Sequence, residues 1–104
     1  MILITTDEVA GRPGAEALGL VRGSAVRARH IGKDILAVLK NMVGGELEEY
    51  TKLLAEAREQ ALDRMTAEAE ARGADAVVGV RFSSSQIAQG AAEVLVYGTA
   101  VRLG

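Results

Sequence analysis

Arg27, Arg29, His30 and Lys33 are the residues of this 104-residue chain whose types and spacing come closest to chemistry. Guanidinium groups pair bidentately with phosphate or carboxylate, so Arg27, Arg29 and Lys33 are candidates for holding a small anion. The plainer account of the same cluster is salt bridging to the acidic stretch downstream, in the same or a neighbouring subunit. His30 is the single histidine. It becomes a metal ligand only if several chains each supply one around a symmetry axis; otherwise it is a hydrogen-bonded histidine at a strand end.

Other groupings carry less. Glu46, Glu48 and Glu49 beside Tyr50 have the oxygen chemistry of a hard-cation site. Three acids in one helical turn diverge around the axis, however, and already suit the positive end of the helix dipole. Asp34 and Arg58 read as a general acid–base set or, more simply, as a buried ion pair. Ser83-Ser84-Ser85 lacks the Gly-x-Ser-x-Gly setting of an exposed nucleophile and reads as a hairpin connection. Gly44-Gly45 precedes a helix start without the Lys-Ser/Thr that a phosphate loop requires.

Composition removes whole classes. There is no cysteine, hence no disulfide framework, thiolate metal site or thiol nucleophile. A lone histidine excludes any two-histidine site within one chain. Twelve basic against fourteen acidic residues leave a net charge of -2, which argues against general nucleic-acid or membrane binding. Three aromatics, Tyr50, Phe82 and Tyr97, offer almost no platform for stacking bases. The opening Met1-Ile2-Leu3-Ile4 is too short for a signal peptide, and no apolar run approaches the ~20 residues of a membrane span. Cytoplasm is the expected location. With so few aromatics the core must be filled by Ala, Val, Leu, Ile and Met, and a chain of this size gains from self-association.

The elements that position these residues follow from periodicity. Residues 2–5 read as a short strand, and Leu18 to Ile31 as a second with a bulge or bend at Gly23-Ser24. Val26, Ala28 and His30 then share one face, and Arg27 and Arg29 the other. Lys33 to Val43 reads as a short helix. A long one follows from about Glu46 to Arg72, closed by Gly73. Along it Leu47, Tyr50, Leu54, Ala57, Ala61, Met65 and Ala69 recur at steps of three and four, a continuous apolar stripe. A helix of that length spans about 40 Å, more than one small domain covers, so part of the stripe is expected to meet another subunit. Ala76 to Phe82 and Glu93 to Leu103 read as the closing strands. The expected architecture is a single α+β domain over residues 1–104, in the order β-β-α-α-β-β. A short and a long helix pack on one face of a mainly antiparallel sheet.

Lys33-Asp34, Gly44-Gly45 with Tyr50, Leu54, Ala57 and Arg58, the run Gly73 to Gly79, and Gly98-Thr99-Ala100-Val101 together resemble the YbjQ-like family. That family is of unknown function and carries the label "putative heavy-metal-binding". The resemblance runs from Thr5-Thr6 to Ala100-Val101. It implies a small α+β subunit assembled as a homopentameric ring, with a metal ion as an expectation that lacks a settled ligand set. The family pattern has acidic residues after the Ala-Val-Val-Gly strand and Arg-Ser after the glycine pair. Here Arg81-Phe82-Ser83 and Glu46-Leu47 stand in those places. A soft metal would find only His30 and thioethers such as Met42 and Met65.

The residues and the resemblance together point to a homo-oligomeric binding or scaffold protein. Its ligand is not identified by the sequence, a metal ion or small anion being the leading expectation; no cofactor is required by the sequence, and its expected first partner is itself. The alternative is an enzyme whose site is shared between subunits, using Asp34, Tyr50 or His30 from one chain and Arg58 or Arg27 from the next.

Overall fold

Val-rich segments near both ends of the chain form the sheet, and the Ala-, Leu- and Glu-rich middle forms the helix, as intrinsic preference expects. In a computed structural model, residues 1–28, 45–88 and 91–104 are described. They form strands β1 (Ile2–Leu3), β2 (Glu16–Ala28), β3 (Ala76–Ala88) and β4 (Ala91–Arg102), with one helix, α1 (Gly45–Ala71), between β2 and β3. The sheet order is β1-β3-β4-β2. β4 pairs antiparallel with both long neighbours, and β1 pairs parallel with the start of β3. The α+β class and the mainly antiparallel sheet therefore stand as expected. The short helix expected over 33–43 lies outside the described residues.

Helix α1 packs across β2 and β4 and barely touches β3. Ala57, Ala61, Met65 and Ala69 of its stripe are fully buried against Val21, Ala25, Val94 and Val96 of its own sheet. Four of the seven stripe residues are thus used within the chain. The helix stops in a Schellman turn: the Ala74 N–H donates to Ala69 O at 3.1 Å and Gly73 N–H to Glu70 O at 3.0 Å, with Gly73 at φ +76°. Every fully buried apolar side chain described is Val, Ala or Met; Phe82 and Tyr97 are exposed.

Two local expectations are corrected by the packing. β2 has no bulge at Gly23-Ser24; these residues pair in register with Val96 and Leu95, and the irregularity sits between Ala17 and Gly19. Gly23 is there because the helix passes over it: a Cβ would fall inside the backbone of Ala61 and Met65. Ser83-Ser84-Ser85 is not a connection but the middle of β3, paired with Leu95, Val94 and Glu93. The β3–β4 ladder continues to the Ala88–Ala91 pair.

β3 does not keep a single alternation either. The register shifts between Val78 and Arg81, and Gly79 stands at φ +62°. Ala76 and Val78 consequently face away from α1, in a second cluster with Val101 that Ile4, Val9 and Leu103 cover. Val77 and Val80, three apart across this bulge, both face the helix.

Candidate functional site

Arg27 lies on the helix-facing side of β2, opposite Ala92, with Gln86 completing the row on β3. The alternation that places Val21 and Ala25 under α1 carries Arg27 to the same face, one step beyond the apolar core. There it lines a cleft of about 490 Å³ with Lys52, Ala55, Glu56, Glu59, Gln60 and Asp63 of the helix. Two cations and three carboxylates share this lining, so Arg27 faces the acidic helix. Its Nε is buried without a hydrogen-bond partner among the described residues. Val26, the apolar neighbour, is instead 49% exposed on the opposite face.

Of the other anticipated site residues, Arg29, His30 and Lys33 lie outside the described residues, as does Asp34. Arg58 is exposed, so no buried ion pair is made at its end. Met65 is fully buried in the core and is removed as a thioether ligand.

The second feature is the sheet itself. β3 has β1 beside it only at Ala76 and Val77. The N-terminal segment extends that cover by two bonds, Gly79 N–H to Thr6 O at 2.8 Å and Val80 N–H to Ile4 O at 3.0 Å. Beyond these, residues 81–86 are exposed on both faces, and no described strand lies along their outer edge.

Alternation identifies which backbone groups are free. Val80 points to the β1 side, so Arg81, Ser83 and Ser85 turn toward β4, where their partners are Tyr97, Leu95 and Glu93. Phe82, Ser84 and Gln86 therefore direct their amides and carbonyls outward. The sheet face away from α1 is also only partly covered. Arg22, Tyr97 and Arg81 form a cross-strand row on it, and Leu20 and Val26 are exposed there. This free edge was not legible in the serine run, which carries no apolar alternation.

A two-layer α+β fold whose β3 edge is uncovered over residues 81–86 among the described residues is the class of protein these features define. The chain belongs to the YbjQ family, described as "Putative heavy-metal-binding", whose model matches residues 1–104. It is 62% identical over 103 residues to a UPF0145 protein of Archaeoglobus fulgidus, covering 99% of this chain and 95% of that one. It is 55% identical over 103 residues to a UPF0145 protein of Methanosarcina acetivorans, covering 99% and 97%. A crystal structure of a protein of unknown function from Pediococcus pentosaceus shares the fold. Its TM-score is 0.65 at 16% identity, over 100% of this chain and 98% of that one.

The described residues do not fit a heavy-metal centre. No group of three His, Cys, Asp or Glu side chains among them converges as a metal site, and thiolates are absent from the whole sequence. No described helix is long and apolar enough to cross a membrane.

Proposed function

We propose that the chain is a self-assembling binding or scaffold subunit, a homo-oligomeric ring that is five-fold as the family resemblance implies, acting in the cytoplasm and not as an enzyme. The observation that carries this reading is the outer edge of β3 over residues 81–86, exposed on both faces, whose outward backbone groups at Phe82, Ser84 and Gln86 have no strand beside them among the described residues. Such an edge is a template for strand addition, and a second copy of the chain satisfies it. Five-fold closure requires a head-to-tail contact, in which the β3 edge of one copy meets a different surface of the next.

Native mass spectrometry of the untagged protein tests this, with Ser84→Pro as the variant. Ser84 points its N–H outward, so proline there removes a free-edge donor while sparing the β4 ladder. A discrete oligomer that Ser84→Pro dissociates supports the reading. A monomer at all concentrations overturns it.

A small-anion site at Arg27 is a second reading, favoured by the buried, unpaired Nε. That group calls for an oxygen acceptor, such as a carboxylate or phosphate oxygen, in the cleft against α1. Calorimetric titration with inorganic phosphate, repeated on Arg27→Ala, distinguishes binding there from binding at Arg29 and Lys33.

A further inference from the structure

We infer that the outer edge of β2 is closed to strand addition by Arg64 of α1 and Arg72 of the turn that ends it, which leaves β3 as the free edge among the described residues. The same alternation that frees Ser84 fixes the direction of the β2 groups. Tyr97, Leu95 and Glu93 turn toward β3, so Val96 and Val94 bond to Gly23 and Ala25, and the carbonyl of Ser24 points away from the sheet. An added strand would need that carbonyl as an acceptor. It is already taken: Arg64 Nη1 donates to Ser24 O at 2.6 Å.

Further along the same strand, Arg72 Nη1 donates to Leu18 O at 3.4 Å, while its Nη2 is held by Glu68 Oε1 at 3.2 Å. Arg64 and Glu68, four apart on the flank of α1, are continued by Arg72 in the turn just past the helix end, so the three form one row. Glu68 borders both clefts along this edge, the one with Arg22, Ser24 and Arg64 and the one with Leu20, Arg22 and Arg72. The irregularity between Ala17 and Gly19 breaks the flat template at the end of the row.

The physical effect is the one by which natural sheets prevent edge-to-edge aggregation: charge and a covering element placed over the exposed ladder. A strand arriving at β2 must displace a charge-assisted hydrogen bond at Ser24 and meet a guanidinium-lined edge. A strand arriving at β3 meets the Arg81 guanidinium only at the near end, where it caps Val80 O and Thr5 O; the outward groups of Phe82, Ser84 and Gln86 beyond it carry no such cap among the described residues. A head-to-tail contact between copies is thereby barred from being a continuous β3-to-β2 sheet. The inference rests on the β3 edge being the open one, and on the geometry of β2 independently of how many copies assemble.

The test compares four full-length proteins by light scattering after gel filtration across a hundredfold concentration range: wild type, Ser84→Pro, Arg64→Ala/Arg72→Ala, and all three changes together. The arginine pair is expected to raise the mass about twofold or more over wild type, through edge pairing now allowed at β2. The triple variant keeps that association although its β3 edge is blocked. In the associated state the amides of Arg22, Ser24 and Val26 gain hydrogen-exchange protection, which separates strand addition from unspecific clumping. Folded arginine variants with the wild-type mass and unprotected β2 amides overturn the inference, leaving Arg64 and Arg72 as ties between helix and strand. If the pair does not fold, Arg64→Ala alone is read by the same criteria. A monomeric wild type would remove the proposed assembly, yet the arginine variants would still decide the closure of β2.

Discussion

Gly23 and Met65 are in backbone contact: the Met65 amide and the Ala61 carbonyl occupy the space where a side chain on Gly23 would begin. The helix comes this close because Ala57, Ala61 and Ala69 keep its underside thin, and Met65 fills the remaining space over Val21 and Val96.

Gly23→Ala is accordingly expected to cost about 3 kcal/mol, because the obstructing atoms are backbone and cannot swing aside. Gly79→Ala meets nothing within 4 Å but keeps a φ of +62°, a conformational cost of about 1 kcal/mol. Urea unfolding of the two variants checks the order. Equal losses would show that the helix settles over a Gly23 side chain more easily than its backbone contact implies.

Met65 is fully buried under α1. Met65→Ala is expected to destabilise by roughly 2–5 kcal/mol, and Met65→Leu by less than about 1.5 kcal/mol, since the latter nearly conserves volume. Thermal denaturation of both variants reads the difference.

Proline discriminates the two sides of β3. Ser83 turns its N–H toward Leu95 and Ser84 turns its N–H outward, by the alternation set at Val80. Ser83→Pro should destabilise the subunit by about 3 kcal/mol or more, whereas Ser84→Pro should leave its unfolding midpoint little changed. Unfolding of the two at a concentration where neither associates is the comparison. A larger loss in Ser84→Pro would reverse the assigned direction of the ladder.

Arg102 and Glu16 pair at 3.1 Å with side chains 50% and 64% exposed. Glu16→Gln is expected to change stability by no more than about 0.5 kcal/mol, the difference vanishing in high salt. Chemical denaturation at low and high sodium chloride tests both halves of that statement.

Any zinc or cadmium held by an imidazole or thiolate must involve His30, because the chain has no other such donor. Metal analysis of protein purified without chelator should therefore show its content lost in His30→Ala. Retention in that variant would assign the ion to carboxylates or thioethers.

The long helix was readable from its three-and-four spacing and from Gly73, because burial of one helix face and the left-handed turn that ends it are local properties of the chain. The α+β class, the absence of a thiolate site and the placement of Arg27 opposite Val26 followed in the same way, from composition and a period of two. Two things did not follow. Gly23 looks like a bulge in sequence because nothing local reveals a helix backbone passing over it. Ser83 to Ser85 look like a loop because their strand character comes from pairing with β4, not from their own preference.

Only the tertiary structure decided that β3 shifts phase at Gly79, that its outer edge is free among the described residues, and that Arg64 and Arg72 bond the carbonyls of Ser24 and Leu18 on β2. Hydrogen-bond direction in a sheet is set by which strand lies on which side. A guanidinium reaches Ser24 from 40 residues away only after the helix has been laid across the sheet.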